Sequence, residues 1–225
     1  MQFSNPNKAV RKPGRGREVL VLLCGLIFLS CFFSGCRSAY KGMESASVNH
    51  DCLTDLQPTY QNELYKAQVD ITGHSLSGLL LIKKMPDSST RVVFSTEMGV
   101  KFFDFEFREN GDFFVIDILK KLNKKPVIRA LEQDFRLVLM NEGGKIPVET
   151  RMNELYFYHG YSKGKKQAWY LTDKNCKQLM GAELSSKRKP LVRVEFIDVA
   201  AGNPDSILIN HLNFRFNIAL KKLTR

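Results

Sequence analysis

Hydrophobic and polar residues alternate along most of the chain after residue 64, and this alternation predicts a β-rich domain. The clearest case is residues 101–108, in which Phe103, Phe105 and Phe107 alternate with polar residues. Side chains of a strand point alternately to the two faces of a sheet, so each such segment indicates a strand with one buried face. The strands, about ten in all, include residues 65–71, 76–82, 91–96, 101–108, 113–118, 155–161, 167–172, 192–196 and a long final strand over 208–220.

The spacing changes in the middle of the chain, where apolar residues recur every three or four positions and predict one helix. These residues are Ile128, Leu131, Phe135, Val138 and Leu139. Asn123 is a suitable N-cap and Pro126 fits the first turn. Residues 141–144, Asn-Glu-Gly-Gly, end the helix.

Together these elements predict a mainly β (α+β) fold, in which a strongly curved antiparallel sheet forms an unclosed β-barrel around the central helix. Tight turns such as Asn110-Gly111, whose residues tolerate positive φ, connect consecutive strands. One helix covers only part of such a sheet, so we expect an apolar cavity on the concave face.

The N-terminal segment has the organisation of an export signal. A basic region over residues 1–18 precedes a 15-residue apolar run over residues 19–33, which is short for a transmembrane helix. The following Phe33-Ser34-Gly35-Cys36 resembles the lipobox of bacterial lipoproteins. We therefore predict a lipoprotein signal peptide over residues 1–35 and lipidation of Cys36. The alternatives are an uncleaved N-terminal anchor and processing at Cys31.

After the signal peptide, residues 36–56 are predicted as a lipidated tether and residues 57–225 as the domain. The net charge of +11 overstates the charge of this mature chain. Removal of residues 1–35 takes away five of 34 basic and one of 23 acidic residues and leaves +7. The remaining bases indicate either solvated loops or attraction to anionic lipid headgroups. Export separates the protein from nucleic acid, so we expect no nucleic-acid partner.

Two further cysteines, Cys52 and Cys176, enter an oxidising compartment after export. They form either one disulfide or two free buried thiols. They are too far apart in the sequence, and too far from histidines, to indicate a metal site.

The sequence offers little support for an enzyme. Residues 73–77, Gly-His-Ser-Leu-Ser, resemble the nucleophile elbow of serine hydrolases, but they lack the final glycine and a strand rather than a helix follows. His50, His74, His159 and His211 are isolated in the sequence. We expect no catalytic residues, no metal and no cofactor.

Aromatic residues are the remaining candidates for a site, either as ordinary core or as the lining of an open apolar cavity. The candidate set is Phe94, Phe103, Phe105, Phe107, Tyr156, Tyr158, Trp169, Phe196, Phe214 and Phe216.

The lipobox, residues 65–71, the glycine-containing strand over residues 77–83 and the late segment over residues 204–209 together resemble the lipoprotein-localisation carrier and receptor superfamily (LolA and LolB). The resemblance covers roughly residues 60–223. It implies an unclosed β-barrel capped by helices, with a hydrophobic cavity that binds acyl chains without chemistry. The receptor of this superfamily receives its cargo through a protruding loop with an exposed apolar residue.

The resemblance also implies a place and partners for the protein. We expect a cell-envelope protein held by a lipid anchor, with acyl lipid or lipoprotein as cargo. Arg37, which replaces the aspartate that favours inner-membrane retention, indicates the outer membrane, facing the periplasm. The alternative is an envelope scaffold with a filled core that docks a membrane protein complex.

Overall fold

The alternating segments of the sequence form the strands of one antiparallel sheet, seen here in a computed structural model. The structure describes residues 39–47, 51–71, 73–143, 145–200 and 202–223. The predicted signal peptide and Cys36 lie outside the described residues, as does His50. All described residues belong to one compact unit over residues 38–225.

The described residues form thirteen strands and two helices. The strands are β1 (Glu44–Ser45), β2 (Asn62–Ile71), β3 (His74–Lys84), β4 (Thr90–Ser95), β5 (Lys101–Phe107), β6 (Phe113–Ile118), β7 (Glu149–Met152), β8 (Tyr156–Lys163), β9 (Lys166–Asp173), β10 (Leu179–Ser186), β11 (Pro190–Ala200), β12 (Asn203–His211) and β13 (Phe216–Lys222). The helices are α1 (Asp51–Leu56) and α2 (Lys125–Leu139).

The sheet is a meander with two pairings between strands distant in the sequence, β13 with β2 and β1 with β7. Its strand order is β1-β7-β8-β9-β10-β11-β12-β13-β2-β3-β4-β5-β6, and every pair is antiparallel. The pairing of β13 with β2 places Leu220 opposite Ala67 and joins the two ends of the domain. Strands β1 and β6 lie at the two ends of the order, so the sheet is not closed. The predicted unclosed barrel around a helix is confirmed.

The curvature has local causes in the sequence. A Cβ at Gly78 would overlap the carbonyl oxygen of Ser95, so glycine is needed where β4 packs closely against β3. The pairing of β4 with β5 shifts register between Phe94 and Ser95. An irregularity of this kind bends a strand and increases its twist, which helps the sheet wrap around α2.

Helix α2 packs its C-terminal part into the concave face. Leu131 and most residues from Asp134 to Leu139 are buried. Pro126 lies in the first turn as predicted, but the N-cap is Lys124 rather than Asn123, and no side chain caps the helix. The helix ends at Met140, which adopts the left-handed conformation with φ 51°.

After residue 57, three elements differ from the sequence-based prediction. Strand β10 was missed because it is buried on both faces and shows no alternation, and β7 was missed because it has four residues. The predicted final strand is two strands, β12 and β13, separated by residues 212–215. Leu212 and Phe214 in this turn are exposed apolar residues. They continue the alternation of apolar and polar residues, so the sequence pattern does not reveal the turn.

Part of the predicted tether packs against the domain. Strand β1 pairs with β7, with Glu44 opposite Met152. The ring of Tyr40 stacks on Trp169 at 5.3 Å between centroids, and its hydroxyl donates to Glu183 Oε2 at 2.8 Å. The described residues before residue 57 therefore cover the convex face of β8–β10 and, through α1, add to the core.

Candidate functional site

An apolar cavity of about 180 Å³ lies between the N-terminal half of α2 and the sheet. Its walls come from β2–β5, from the loop before α2, from α2 itself and from the β12–β13 turn. The residues that line it are Val69, Ile71, Leu76, Leu80, Phe94, Phe103, Leu122, Pro126, Val127, Ala130, Leu131, Phe135, Phe214, Phe216 and Ile218. A wall without charged or polar side chains suits a hydrocarbon ligand.

The floor of the cavity is aromatic. The rings of Phe94 on β4 and Phe103 on β5 lie 5.7 Å apart, and Phe103 lies 5.7 Å from Phe135 on the helix. Phe94 also stacks on Phe102 at 4.7 Å. These contacts fix the floor, because offset and tilted aromatic pairs at such distances are favourable.

The entrance lies at the turn between β12 and β13. The ring of Phe214 lines the cavity yet is 49% exposed to solvent. Phe214 and Phe216 each lie 4.7 Å from the ring of His211. One wall of the cavity thus continues to the protein surface.

Residues 125–131 of α2, which form the helical wall of the cavity, are held in place mainly by apolar contacts. Lys125 and Pro126 are exposed, and Val127 and Ala130 are half-buried. Within the described part of the chain, no side-chain hydrogen bond involves residues 125–131. This half of α2 therefore rests on the cavity through apolar contacts.

The other half of α2 is fixed by polar contacts to several elements. Arg136 donates to the carbonyl oxygen of Gly111 at 2.7 Å and to Glu132 at 2.9 Å. Tyr60 donates to the carbonyl oxygen of Val138 at 3.3 Å. Just past the helix, the side-chain amide of Asn141 donates to the backbone carbonyl oxygen of Arg108, next to the β5–β6 turn. The C-terminal half is thus attached to the sheet and to the segment after α1.

A buried contact between Asp134 and His211 connects the C-terminal half of α2 to β12. Asp134 is fully buried, and its Oδ2 lies 2.9 Å from His211 Nε2 on β12. Burial raises the pKa of Asp134 above its usual range, and the hydrogen bond and charge of His211 oppose this rise. His211 also contacts Phe214 and Phe216, so this pair connects α2 to the entrance of the cavity.

The structure brings four of the ten predicted aromatic residues together in the cavity: Phe94, Phe103, Phe214 and Phe216. Three others are ordinary core. Phe105 and Phe107 pack against Phe113 at 5.2 and 5.1 Å, and Phe196 is buried in the same core.

Tyr156, Tyr158 and Trp169 lie outside this cavity. They pack with Tyr40 in a separate cluster on the convex face. Strands β8 and β9 are covered on both faces, and alternation alone does not tell the concave face from the convex one. Gly160 distinguishes the two faces, because it leaves room for the Trp169 ring on the convex face. A Cβ at this position would lie 2.7 Å from that ring.

Sequence reasoning missed the helical wall and the exposed loop. Leu122, Val127 and Ala130 line the cavity, and their signal was the apolar face of the first helical turns. In the loop between β4 and β5, Met98 is 94% exposed. A methionine beside Gly99, which has φ +84°, between two clear strands was the available signal.

A second, wider cleft of about 710 Å³ lies at the C-terminal end of α2. Its lining is mixed, and it includes Tyr161 and Tyr170. Tyr170 donates to Glu142 at 2.7 Å. Burial, with the charge of Glu142, raises the pKa of Tyr161 to about 12, so this phenol stays protonated at neutral pH.

The elbow-like segment over residues 73–77 runs from the β2–β3 turn into strand β3. Ser75 lies within strand β3, as expected, and donates to Asp70 on β2. In the described ranges no group of three or more His, Cys, Asp and Glu side chains is placed to hold a metal ion. Cys176 takes part in a disulfide bond. Its pairing with Cys52, whose side chain is not described, stays a prediction.

No helix in the described part of the chain is long and apolar enough to span a membrane. No family model matches the sequence, and no curated protein matches it.

Solved structures, in contrast, match the fold. A LolA superfamily protein from Nitrosomonas europaea superposes with a TM-score of 0.50 at 8% identity, covering 79% of this chain and 93% of that one. A DUF1329 family protein from Desulfovibrio piger has a TM-score of 0.45 at 12% identity, covering 78% and 90%. An outer membrane lipoprotein-sorting protein domain from Vibrio parahaemolyticus has 0.43 at 8%, covering 77% and 89%. The match to the Nitrosomonas europaea protein shows that the chain has a LolA-like fold.

Proposed function

We propose that this domain binds the acyl chains of a lipid or lipoprotein without catalysing a reaction. The observation that carries the proposal is the apolar cavity between the N-terminal half of α2 and the aromatic floor formed by Phe94 and Phe103. Acyl chains carry no hydrogen-bonding groups, so a wall of hydrocarbon side chains matches them and leaves no polar group unpaired.

The size of the cavity defines how binding proceeds. A volume of about 180 Å³ is below the roughly 300–1,000 Å³ of small-molecule sites. With α2 packed against the sheet as described above, the cavity receives one end of an acyl chain. Entry of the rest requires the lightly held residues 125–131 to move away from the sheet.

The loop over residues 96–100 supports a role in cargo transfer. The superfamily's receptor uses a protruding loop with an exposed apolar residue, and Met98 is such a residue on the β4–β5 loop. The loop follows Phe94, which lies in the cavity wall. Met98 is thus placed to contact a chain before it enters.

The test uses an environment-sensitive fluorescent fatty acid and the purified full chain. Phe94→Asp places a charge in the cavity wall and should abolish probe binding. Trp169→Phe, which changes an aromatic residue of the convex cluster, is the control and should bind normally. A wild-type chain that does not bind the probe would refute the proposal. Circular dichroism identifies a variant that fails to bind because it has unfolded.

A specific observation favours the second candidate, an envelope scaffold. Strand β6 lies at the edge of the sheet and exposes Phe114, Val115 and Ile116. An exposed apolar edge pairs readily with a strand of another protein. A chain that ignores the fatty acid but forms a stable complex through β6, lost in Ile116→Lys, would support this function instead.

The location in the cell belongs to the same proposal. We infer a lipid anchor at Cys36, the outer membrane facing the periplasm as the site, and a Cys52–Cys176 disulfide. Metabolic labelling with an acyl precursor should mark the wild-type chain and not Cys36→Ala. Equal labelling of both would remove the anchor at this residue.

A further inference from the structure

The connections of the sheet fall on two rims with different charge. In an antiparallel meander, successive connections alternate between the two ends of the strands. We call one end the cavity rim, formed by residues 73, 96–100, 119–124, 164–165, 187–189 and 212–215. The other end, the far rim, is formed by residues 85–89, 108–112, 153–155, 174–178 and 202.

The cavity opens at the cavity rim. Phe214 of the β12–β13 turn and Leu122 of the loop before α2 line it directly. Ile71 and Phe94, at the rim ends of β2 and β4, line it as well. Any lipid that enters or leaves therefore passes this rim.

Basic residues are concentrated on the cavity rim. Its connections carry Lys120, Lys121, Lys124, Lys165, Lys187, Arg188, Lys189 and Arg215 against the acidic Glu97. The connections of the far rim carry the bases Arg108, Lys174 and Lys177 and the acids Asp87, Glu109, Asp112 and Glu154. The net charge of +7 predicted for the mature chain is thus unevenly distributed.

The lysines beside the entrance are available to a partner. Lys120, Lys121, Lys124 and Lys125 are exposed, and none forms an ion pair with a described residue. Lys101, by contrast, contacts Asp104 at 3.5 Å. Apolar side chains are exposed on the same rim: Met98, Val100, Leu119, Leu212 and Phe214.

We propose that the cavity rim docks on a bilayer surface that carries anionic headgroups, so that the cavity opens directly against the membrane. Apolar side chains flanked by lysines are the pattern of surfaces that lie in the interface between headgroups and acyl chains. Lysines near an anionic leaflet gain electrostatic attraction, and Met98 and Phe214 reach the apolar layer. The inference rests on the proposed function, since docking gives an acyl-binding cavity access to its ligand.

The test measures amide hydrogen exchange of the full chain reconstituted in vesicles of phosphatidylcholine, with or without about 30 mol % phosphatidylglycerol, enough to give an anionic surface. Anionic lipid should slow exchange in residues 96–100 and 119–124 by about tenfold or more, since each lysine near such a surface contributes about fivefold to binding. Raising NaCl to about 0.5 M, where the screening length is roughly 4 Å, should remove most of this protection.

Matched charge variants make the test specific. Lys120→Gln, Lys121→Gln, Lys124→Gln and Lys125→Gln combined should return exchange on the cavity rim to the value in neutral vesicles. The control carries four equal changes away from the cavity rim, Lys83→Gln, Lys145→Gln, Lys174→Gln and Lys177→Gln, and should keep full protection. Equal loss in both, or no protection of the wild-type rim by anionic lipid, overturns the docking surface.

Binding of the fluorescent fatty acid, measured without vesicles, separates the two proposals. A chain that binds the fatty acid but shows no rim protection keeps the proposed function and loses the docking surface. A chain with rim protection that does not bind the fatty acid keeps docking as a membrane contact and loses the cavity function. Protection by an acidic peptide but not by anionic vesicles would assign the rim to a protein and overturn the inference.

Discussion

The two halves of α2 are attached to the domain in different ways. Residues 132–139 carry Asp134, paired with His211, and Arg136, bonded to the β5–β6 turn, and they are mostly buried. Residues 125–131 carry no side-chain hydrogen bond within the described part of the chain, and they form one wall of the apolar cavity. The cavity thus lies where the helix is held least. We infer that the C-terminal half anchors the helix while the N-terminal half moves to admit a ligand.

The largest expected difference between the halves is in core packing. Phe135→Ala, in the anchored half, should lower the free energy of unfolding by about 3–5 kcal/mol, because it empties a fully buried aromatic site. Val127→Ala, in the other half, should lower it by about 1 kcal/mol or less, because this side chain is half-buried beside an existing cavity. Chemical denaturation of both variants checks this. Similar losses would show that the halves are equally fixed.

The contact between Asp134 and His211 should make the stability of the C-terminal half of α2 depend on pH. His211→Leu should lower the free energy of unfolding by about 3 kcal/mol at neutral pH, because it leaves the Asp134 carboxylate buried without its partner. Burial raises the pKa of Asp134, so ionising it disfavours the folded state above the pKa of the unfolded chain. The loss relative to wild type should therefore shrink as pH falls toward that value and the carboxyl becomes protonated.

Denaturation of wild type and variant across the acidic range measures this. The double variant Asp134→Leu with His211→Leu serves as the control, since removing both partners avoids an isolated buried charge and should cost less than His211→Leu alone. A loss that is independent of pH would contradict the role of the carboxylate.

The contact between α2 and the β5–β6 turn should have an intermediate effect. Arg136→Met keeps the apolar part of the side chain but removes its hydrogen bond to the Gly111 carbonyl, at a cost of about 2 kcal/mol. Amide exchange should accelerate in residues 108–112 and in the end of α2, but not around Val127. Acceleration spread evenly over α2 would indicate that the helix moves as one unit.

The smallest expected effect comes from a substitution that stabilises the N-terminal half of α2. The N-cap is Lys124, which makes no capping hydrogen bond, so Lys124→Ser should stabilise the first turn by about 0.5–1 kcal/mol. Lys124→Gln removes the same charge without adding a good cap and is the matched control. If residues 125–131 must move to admit a ligand, stopped-flow uptake of the fluorescent fatty acid should be slower in the serine variant than in the glutamine variant. Equal rates would contradict motion at this end.

The sequence predicted the strands best where apolar residues alternate with polar ones. Strand β5, with its alternating phenylalanines, lies as expected. The sequence pattern did not reveal β10 or the place of the cluster around Trp169, because the N-terminal residues cover the convex face and both sides of those strands are buried. A pattern with period two identifies two faces but does not tell which of them holds the cavity.

The candidate site was predictable only in part for a related reason. Phe94, Phe103, Phe214 and Phe216 were identified as aromatic residues on apolar faces, and they do meet in one cavity. Phe105 has the same local pattern and is ordinary core. What separates them is how far α2 extends along the sheet, which depends on contacts between residues distant in the sequence.

The pairing of β13 with β2 has a consequence for how the chain folds. Strands β2–β6 form one continuous meander and β7–β13 another, and residues 216–222 at the end of the domain supply the hydrogen bonds that join them. During synthesis the first meander is complete long before its partner strand exists, and its β2 edge stays unpaired. Pairings this distant in sequence form slowly and leave such edges open to aggregation. A chain that stops before residue 216 should therefore accumulate as two unjoined half-sheets.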